Sequence, residues 1–324
     1  MAEVVRTTKR FKVIRKRVSE YQGNNFKQFE KDHLEIIPEI DYIWSEDGSN
    51  EQGPLILITN SQTDIEQFSD EELAKTELLI HPNSGHDNLT KEFVEKVNFP
   101  IILGNPIRSH AVVNYIMSAL FKHFVHFEHQ KEWDPNREWN RSLLKEKNIL
   151  LIGYGHIGKL VHQSLGPLVK DIHIYDPDKG HSELKLEDRN IVIVAASLNP
   201  TSHGLIDKKF LNSLPTDFVL INPARGKIVN QLELMEVFSK NKRATAYLDV
   251  FENEPYSSLD FLGLNNIMTT SHIAGVYSGL NSEIVKYEFD VINKFIEYYD
   301  DLNAFKEHFS DLLLQNKLRG DYFL

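Results

Sequence analysis

The chain of 324 residues contains no cysteine. Disulfide bonds, a catalytic thiolate and zinc sites with thiolate ligands are therefore excluded. Apolar runs are short, and none approaches the roughly 18 residues that a transmembrane helix requires, so we expect no membrane partner. Basic residues are outnumbered by acidic ones, 36 against 47, which gives a formal net charge of −11. This charge argues against a general affinity for nucleic acids or for anionic membranes.

The composition is otherwise that of a soluble globular protein, and the absence of cysteine fits a cytoplasmic location, which we predict. The length is near the point where a single hydrophobic core stops growing, so two domains are expected. Short apolar runs such as Pro54–Thr59, Glu77–His81 and Pro100–Leu103 alternate with helical stretches, which are predicted at Asn25–Leu34, Asp64–Lys75 and Thr90–Val97. Thr90 is a candidate N-cap of the last of these, and a shorter amphipathic helix is predicted at Ala304–Leu314. Repeated alternation of this kind predicts the α/β class with parallel sheets.

A glycine-rich turn follows one apolar run in the second part of the chain. Asn148–Ile152 predicts a buried strand, and Gly153, Gly155 and Gly158 follow it in the spacing G-x-G-x-x-G before a helical periodicity. The first glycine permits a tight turn, the second lets a pyrophosphate approach the helix N-terminus, and the third lets helix and strand pack closely. Asp176 ends the next predicted strand, where an acid can accept hydrogen bonds from a ribose diol. The segment therefore predicts a dinucleotide-binding βαβ unit.

The sequence partly fits two other site types, a nucleoside-triphosphate loop and a histidine metal site, but predicts neither. The residues from Gly153 to Lys159 also fit G-x-x-x-x-G-K, but Leu160 stands where a nucleoside-triphosphate loop needs Ser or Thr to hold magnesium. His123, His126 and His129 are spaced by three, so their directions on a helix rotate by about 60° at each step. No carboxylate cage accompanies them, and no metal site is predicted.

Three short motifs follow predicted strands further along. INPARGKIVN carries Arg225 just past the strand Phe218–Ile221, LDVFENEP carries Asp249 and Glu254, and TTSHIAG carries His272. Open α/β sheets bind ligands at the carboxyl ends of their strands. Arginine pairs with a carboxylate or a polarised carbonyl, histidine exchanges protons near neutral pH, and a neighbouring carboxylate favours the protonated ring. Each residue alone has a structural explanation, but together they predict a catalytic cleft.

These four motifs, in this order and spacing, resemble those of the D-isomer-specific 2-hydroxyacid dehydrogenases over nearly the whole chain. The resemblance implies an NAD-dependent oxidoreductase that acts on a small 2-keto or 2-hydroxy acid. It implies Arg225, Glu254 and His272 as the catalytic residues, with Arg225 also binding substrate. The formate dehydrogenase branch is disfavoured, because that branch has glutamine at the position of Glu254. An alternative from another class is an NAD(H)-sensing, corepressor-like binding protein on the same fold.

The resemblance also implies the residues that bind cofactor and substrate. The cofactor-binding set is Gly153, Gly155, His156, Ile157, Gly158, Asp176, Ser197, Asn199, Pro223, Asp249 and Gly275. Asp249 is expected near the nicotinamide carboxamide, and the charge of Asp176 favours NAD because it would repel the 2′-phosphate of NADP. HPNSGHDNLT resembles the family loop whose backbone N–H groups bind the substrate carboxylate, which implies Asn83, Ser84 and Gly85, with His86 as a specificity residue.

Some positions depart from the family pattern. Ser271 stands where a proline usually precedes the catalytic histidine, and Ser197 and Asn199 replace the customary proline and threonine. Asn114 stands where an acid is common. No catalytic group is lost, so the departures leave the subfamily and the substrate open rather than the reaction class.

The helical periodicities after residue 282 have no sheet of their own to cover, so they are expected to return to the first domain. This predicts two doubly wound parallel-sheet domains: a flavodoxin-like substrate domain of residues 1–105 and 284–324, and an inserted Rossmann NAD domain of residues 106–283. The predicted helix Pro106–Phe127 has a broad apolar face. Together with the family resemblance, that face predicts a homodimer.

Overall fold

The computed structural model describes residues 7–18, 25–44, 53–127, 129–137, 141–318 and 322–323. The chain forms two compact units. The first unit comprises Met1–Arg108 together with Tyr277–Leu324, and the second comprises Ser109–Val276. The boundaries between the units, after Arg108 and after Val276, lie a few residues from the predicted boundaries at 105 and 283. The first boundary falls within a helix.

Parallel strands and helices alternate along the described residues. In chain order the strands are β1 (Phe11–Arg15), β2 (Ile40–Trp44), β3 (Leu55–Ile58), β4 (Thr76–His81), β5 (Ile101–Leu103), β6 (Asn148–Ile152), β7 (Asp171–Tyr175), β8 (Ile191–Val194), β9 (Val219–Asn222), β10 (Thr245–Leu248) and β11 (Ile267–Thr269). The α-helices are α1 (Phe26–Leu34), α2 (Asp70–Lys75), α3 (Lys91–Lys96), α4 (Asn105–Leu120), α5 (His156–Leu165), α6 (Lys208–Asn212), α7 (Gln231–Lys240), α8 (Leu280–Glu297) and α9 (Leu302–His308). None of the helices in these ranges combines the length and the apolar composition needed to cross a bilayer.

Each unit is built on one parallel sheet. The strand order is β2-β1-β3-β4-β5 in the first unit and β11-β10-β9-β8-β6-β7 in the second. In both sheets the order reverses beside the unit's first strand, between β1 and β3 and between β6 and β8, which is the arrangement of a doubly wound fold. The predicted α/β class with two doubly wound sheets is confirmed. The reversal in the second unit brings the loops that follow β6 and β8 next to each other.

The central strands are apolar throughout because both faces of each sheet are covered. All residues of β3 (LILI), β6 (NILLI) and β8 (IVIV) are buried, whereas the edge strand β7 is partly exposed. Continuous apolar runs without alternation are typical of parallel strands covered on both faces. This is why these strands could be recognised in the sequence.

Helices α8 and α9 pack on the sheet of the first unit. Phe295 of α8 lies edge-on to Phe11 of β1, with ring centroids 5.6 Å apart, and to Phe305 of α9 at 5.3 Å. These rings belong to one buried apolar core that also includes Val291 and Ile292. The first unit is therefore assembled from both ends of the chain.

Two predicted helices differ from the observed ones in the first unit. The helix predicted across Asp64–Lys75 is a 3-10 turn followed by α2, because the Ser69 hydroxyl accepts a hydrogen bond from the backbone N–H of Glu72 and starts a new helix. The helix predicted across Ala304–Leu314 is α9, which ends at His308.

The long helix between the two halves of the chain is also shorter than predicted. It was predicted to span Pro106–Phe127, whereas α4 ends at Leu120 and continues only as a π-helical turn over Phe121–Val125. The predicted cap of α3 is confirmed, since the Thr90 hydroxyl accepts a hydrogen bond from the N–H of Phe93 at 3.2 Å.

A cluster of charged side chains lies inside the first unit. Arg15 at the end of β1 donates to Glu30 of α1, with Nε 2.9 Å from Oε1, and to Glu288 of α8, with Nη2 2.5 Å from Oε1. All three side chains are at most 1% exposed, and Tyr42 of β2 also bonds to Glu30. Burial raises the pKa of Glu288 well above its usual range, although the Arg15 charge opposes the shift. Two carboxylates thus share one guanidinium, and burial favours the protonated form of Glu288.

Replacing Glu288 with glutamine should alter the pH dependence of stability. A carboxyl whose folded pKa is raised stabilises the fold fully below its unfolded pKa of about 4.3, and this contribution is lost as pH rises through the folded pKa. Glutamine still offers an oxygen to Arg15 but takes up no proton. We expect the melting temperature of Glu288→Gln, relative to wild type, to rise between about pH 5 and pH 8. The exposed Glu283→Gln on the same helix is the control; a difference from wild type that is constant with pH would contradict the assignment.

Candidate active site

The turn after β6 has the shape that the glycine spacing predicted. Gly153 has a φ of +92°, and a β-carbon there would overlap the backbone of Ala196. A β-carbon at Gly158 would overlap the carbonyl oxygen of Gly153, so the first and third glycines are required by packing. A β-carbon at Gly155 would meet nothing within 4 Å. The turn is therefore open at the N-terminus of α5, where a pyrophosphate binds backbone N–H groups, and these residues fit a dinucleotide.

Asp176 lies beside this turn at the end of β7. Its Oδ2 accepts a hydrogen bond from the backbone N–H of Tyr154 at 2.6 Å. Its own backbone pairs with that of His181 through two hydrogen bonds of 2.8 and 3.0 Å, which close the next turn. The carboxylate is thus held next to the glycine turn, as ribose recognition requires.

The loop after β8 is stabilised by the side chain of Asn199. This side chain is buried, and its Oδ1 accepts hydrogen bonds from the N–H groups of Thr201 at 3.1 Å and Ser202 at 2.9 Å. The Ser202 hydroxyl in turn donates to the carbonyl of Ser197 at 2.7 Å. The amide of Asn199 therefore closes its own loop, and cofactor contacts by Ser197 and Asn199 stay predictions.

His272 and Glu254 form a hydrogen-bonded pair. The distance between His272 Nδ1 and Glu254 Oε2 is 2.7 Å, and Glu254 Oε1 accepts from the N–H of Phe251 at 3.0 Å. Both side chains are partly exposed, 53% for His272 and 35% for Glu254. Burial raises the pKa of Glu254, but the hydrogen bond and charge of His272, with Arg225 adding to them, outweigh it and lower the pKa. Since Nδ1 faces Glu254, Nε2 is the nitrogen that can exchange a proton with a ligand.

Arg225 is placed by two neighbours that the sequence reasoning missed. The Asn222 side chain donates to the Arg225 carbonyl at 3.0 Å and accepts from the N–H of Ala224 at 3.1 Å. A β-carbon at Gly226 would overlap the carbonyl of Phe251, so this glycine lets the Arg225 segment touch the segment that leads to Glu254. Gly226, which follows Arg225 in the motif INPARGKIVN, was the sequence signal for this close backbone contact.

Asp249 follows β10 directly, and its expected position near a nicotinamide carboxamide stays a prediction. Its side chain is fully buried: Oδ1 accepts from the Thr270 hydroxyl at 2.5 Å and from the N–H of Ile273 at 2.8 Å, and Oδ2 accepts from the N–H of Ala274 at 2.7 Å. Its carbonyl accepts from the N–H of His272 at 2.8 Å. Asp249 thus holds the loop that carries His272, whose φ of +54° lies in the left-handed region.

The predicted residues fall into separate groups. Arg225, Glu254, His272 and Asp249 come together at the carboxyl ends of β9, β10 and β11 in the second unit. The remaining cofactor residues of that unit lie at the start of α5 (His156, Ile157), after β9 (Pro223) and at the end of the His272 loop (Gly275). Asn83, Ser84, Gly85 and His86 lie in the first unit, after β4.

The segment after β4 is braced from within the first unit. Buried His81 contacts the Gly85 carbonyl through Nε2 at 2.8 Å and the Thr59 hydroxyl through Nδ1 at 2.9 Å. Asn88 donates to the carbonyls of Asn60 and Thr63 at 3.0 and 2.8 Å. The conformation of the segment is therefore set by side chains before and after it.

His86 is the most buried side chain of this segment. It is 3% exposed and lies edge-on to Phe323, with ring centroids 5.6 Å apart. Its Nδ1 has no hydrogen-bond partner within the described residues. Burial, with the Lys317 charge adding to it, lowers the pKa of His86 to about 3. The ring is therefore neutral near pH 7.

Comparison with known proteins identifies the second unit. Residues 116–274 match the family described as D-isomer specific 2-hydroxyacid dehydrogenase, NAD binding domain. The erythronate-4-phosphate dehydrogenase of Blochmanniella floridana is 28% identical over 207 residues, which cover 59% of this chain and 52% of that protein. The glyoxylate reductase of Pyrococcus furiosus is 26% identical over 243 residues, which cover 67% and 72%. The chain thus spans about half the length of the first relative.

A solved structure extends the likeness to both units. The NAD+-bound 3-phosphoglycerate dehydrogenase of Entamoeba histolytica superposes with a TM-score of 0.66 at 16% identity, covering 90% of this chain and 96% of that chain. At this identity the likeness shows the fold alone. The family match covers the glycine turn, Arg225, Glu254 and His272, and NAD is confirmed as the cofactor of the matched domain.

Replacing His86 should make stability less sensitive to acid. A histidine whose folded pKa is depressed stays neutral in the fold while the unfolded chain takes up a proton below about pH 6.5, so stability is lost as pH falls. At about pH 5 this loss amounts to about 2 kcal/mol. We expect the melting temperature of His86→Gln to fall less than that of wild type between about pH 7 and pH 5. Exposed His110→Gln is the matched control, and parallel curves for wild type and His86→Gln would refute the assignment.

Proposed function

We propose that the chain is an NAD-dependent oxidoreductase that interconverts a small 2-keto acid and its D-2-hydroxy acid, because its second unit matches the NAD-binding domain of the D-isomer-specific 2-hydroxyacid dehydrogenases. The observation that carries the proposal is the His272–Glu254 pair, with 2.7 Å between Nδ1 and Oε2 and with Arg225 close enough to lower the pKa of Glu254. The pair lies in the same unit as the open glycine turn.

Each of the three residues has a separate task in this proposal. Arg225 binds the substrate carboxylate and polarises the C2 oxygen through hydrogen bonds from its guanidinium. When bound, NADH supplies the hydride to C2. His272 donates the Nε2 proton to the oxygen on which negative charge develops, and accepts a proton there in the reverse direction. Glu254 stabilises the positively charged ring and keeps it aimed.

Cofactor and substrate are assigned to different segments. Asp176 accepts hydrogen bonds from the adenosine ribose, and its charge disfavours the 2′-phosphate of NADP. The backbone N–H groups of Asn83, Ser84 and Gly85 are assigned to the substrate carboxylate and His86 to specificity, and both assignments rest on the sequence resemblance. The alternative of an NAD(H)-sensing, corepressor-like protein and the cytoplasmic location stay predictions from the sequence.

Turnover should depend on His272. Absorbance at the NADH band would follow reaction with pyruvate, glyoxylate, hydroxypyruvate, larger 2-keto acids and, in the oxidative direction, erythronate 4-phosphate. We expect turnover of at least one compound with NAD(H) in preference to NADP(H). His272→Ala should lower kcat by about 10²- to 10⁴-fold, because general acid catalysis is lost. The exposed His33→Ala serves as the control, and retention of full activity by His272→Ala would rule out the assigned role.

We also propose a homodimer formed through the second unit. Large apolar side chains are exposed beyond the end of α4: Phe127 is 83% exposed, Trp133 80% and Leu143 66%. A second copy that covers these side chains would remove apolar surface from water.

Charge placed on this surface should dissociate the dimer. We expect light scattering to give twice the chain mass for wild type and the mass of one chain for the double variant Phe127→Glu and Trp133→Glu. Leu232→Glu, at a 75% exposed position on α7, is the control. A monomeric wild type would be incompatible with the proposal.

A further inference from the structure

A chain of three polar side chains runs from α4 to the loop that carries His272. The Tyr115 hydroxyl lies 2.9 Å from Thr270 Oγ1, and Thr270 Oγ1 lies 2.5 Å from Asp249 Oδ1. All three residues belong to the second unit. Tyr115 and Thr270 take no part in the glycine turn or in the His272–Glu254 pair.

The direction of the hydrogen bonds follows from the number of protons available. Both oxygens of Asp249 accept backbone N–H groups, from Ile273 and Ala274, so the site is built for a carboxylate. A carboxylate only accepts, and therefore the single hydroxyl proton of Thr270 points to Asp249. The Thr270 oxygen must then accept from Tyr115. Burial raises the pKa of Tyr115 to about 12, with the Asp249 charge adding to the shift, so this hydroxyl remains a donor at neutral pH.

These hydrogen bonds from Tyr115 through Thr270 to Asp249, called the relay below, stabilise a loop whose backbone conformation is unfavourable by itself. His272 has a φ of +54°, in the left-handed region where the β-carbon of an L-residue crowds the backbone and the conformation is disfavoured. The residue before it is Ser271, so no proline ring fixes the backbone there. Asp249 binds the loop on both sides of His272, through Thr270 before it and Ile273 and Ala274 after it.

We propose that Tyr115 is a positioning residue that acts through Thr270 and Asp249 to hold the His272 loop in the conformation required for proton transfer. This inference rests on the proposed function in assigning proton transfer to His272. The Tyr115 hydroxyl is hydrogen-bonded to Thr270 rather than to a group that the proposed function assigns to ligand binding, so we expect its loss to affect the proton-transfer step more than ligand binding.

The test removes one hydroxyl at a time. Tyr115→Phe should lower kcat about three- to tenfold, since one buried hydrogen bond is lost. KM for the keto acid and the dissociation constant of NADH, measured by fluorescence, should change by less than about twofold.

Thr270→Val should lower kcat at least as much as Tyr115→Phe does, and Thr270→Ser, which keeps the hydroxyl, should retain the wild-type kcat. The double variant Tyr115→Phe with Thr270→Val should be no worse than Thr270→Val alone, because both act through the same hydroxyl. Tyr247→Phe, a buried tyrosine of the same unit, is the control.

A second measurement keeps this inference separate from the proposed function. Amide hydrogen exchange across residues 270–276 of the protein without substrate should be faster in Tyr115→Phe than in wild type and in Tyr247→Phe. An inactive wild type would refute the proposed function, and unchanged exchange in Tyr115→Phe would then refute the relay as well. In an active wild type, Tyr115→Phe with unchanged kcat and unchanged exchange would overturn the relay. Equal losses in kcat, NADH binding and melting temperature would overturn the positioning role, because they indicate a general loss of structure.

Discussion

A carboxylate that has no contact with water needs hydrogen bonds to stabilise its charge, and Asp249 receives three of them from the segment 270–274. These donors come from a loop without regular structure, and their hydrogen bonds to the two carboxylate oxygens hold the loop in its observed path. That path includes the left-handed backbone at His272 and sets where its ring meets Glu254. The position of the His272 ring, to which we assign proton exchange, therefore depends on Asp249.

The other half of the site depends on close backbone contact rather than on charge. Gly226 allows the Arg225 segment to lie against the carbonyl of Phe251, and the N–H of Phe251 binds Glu254. Phe251 also stacks on Tyr256 at 3.9 Å between ring centroids, and Tyr256 donates to Thr269 at the end of β11. The loops after β9, β10 and β11 are thus joined to one another and present arginine, carboxylate and imidazole together.

The buried central strands and the residue types at their ends could be predicted from the sequence, because buried parallel strands are continuous apolar runs and the motifs follow them directly. The role of Asp249 could not be predicted, since its donors are mostly backbone N–H groups that have no sequence signature. Tyr115 was hidden for a similar reason: its apolar ring fits the helical periodicity of α4, and its partner Thr270 is distant in sequence. The error at Asp64–Lys75 arose because a serine cap inside a polar stretch starts a new helix without interrupting the composition.

Asp176 was assigned to ribose recognition, but in the structure it also accepts the N–H of Tyr154 within the glycine turn. Engineering this protein to accept a phosphorylated cofactor would therefore require more than removal of its negative charge. A neutral replacement that cannot accept a hydrogen bond would leave the Tyr154 N–H without this partner and would loosen the backbone of the glycine turn. Directed evolution of cofactor choice should accordingly favour replacements at this position that retain a side-chain oxygen, such as asparagine or serine, over purely apolar ones.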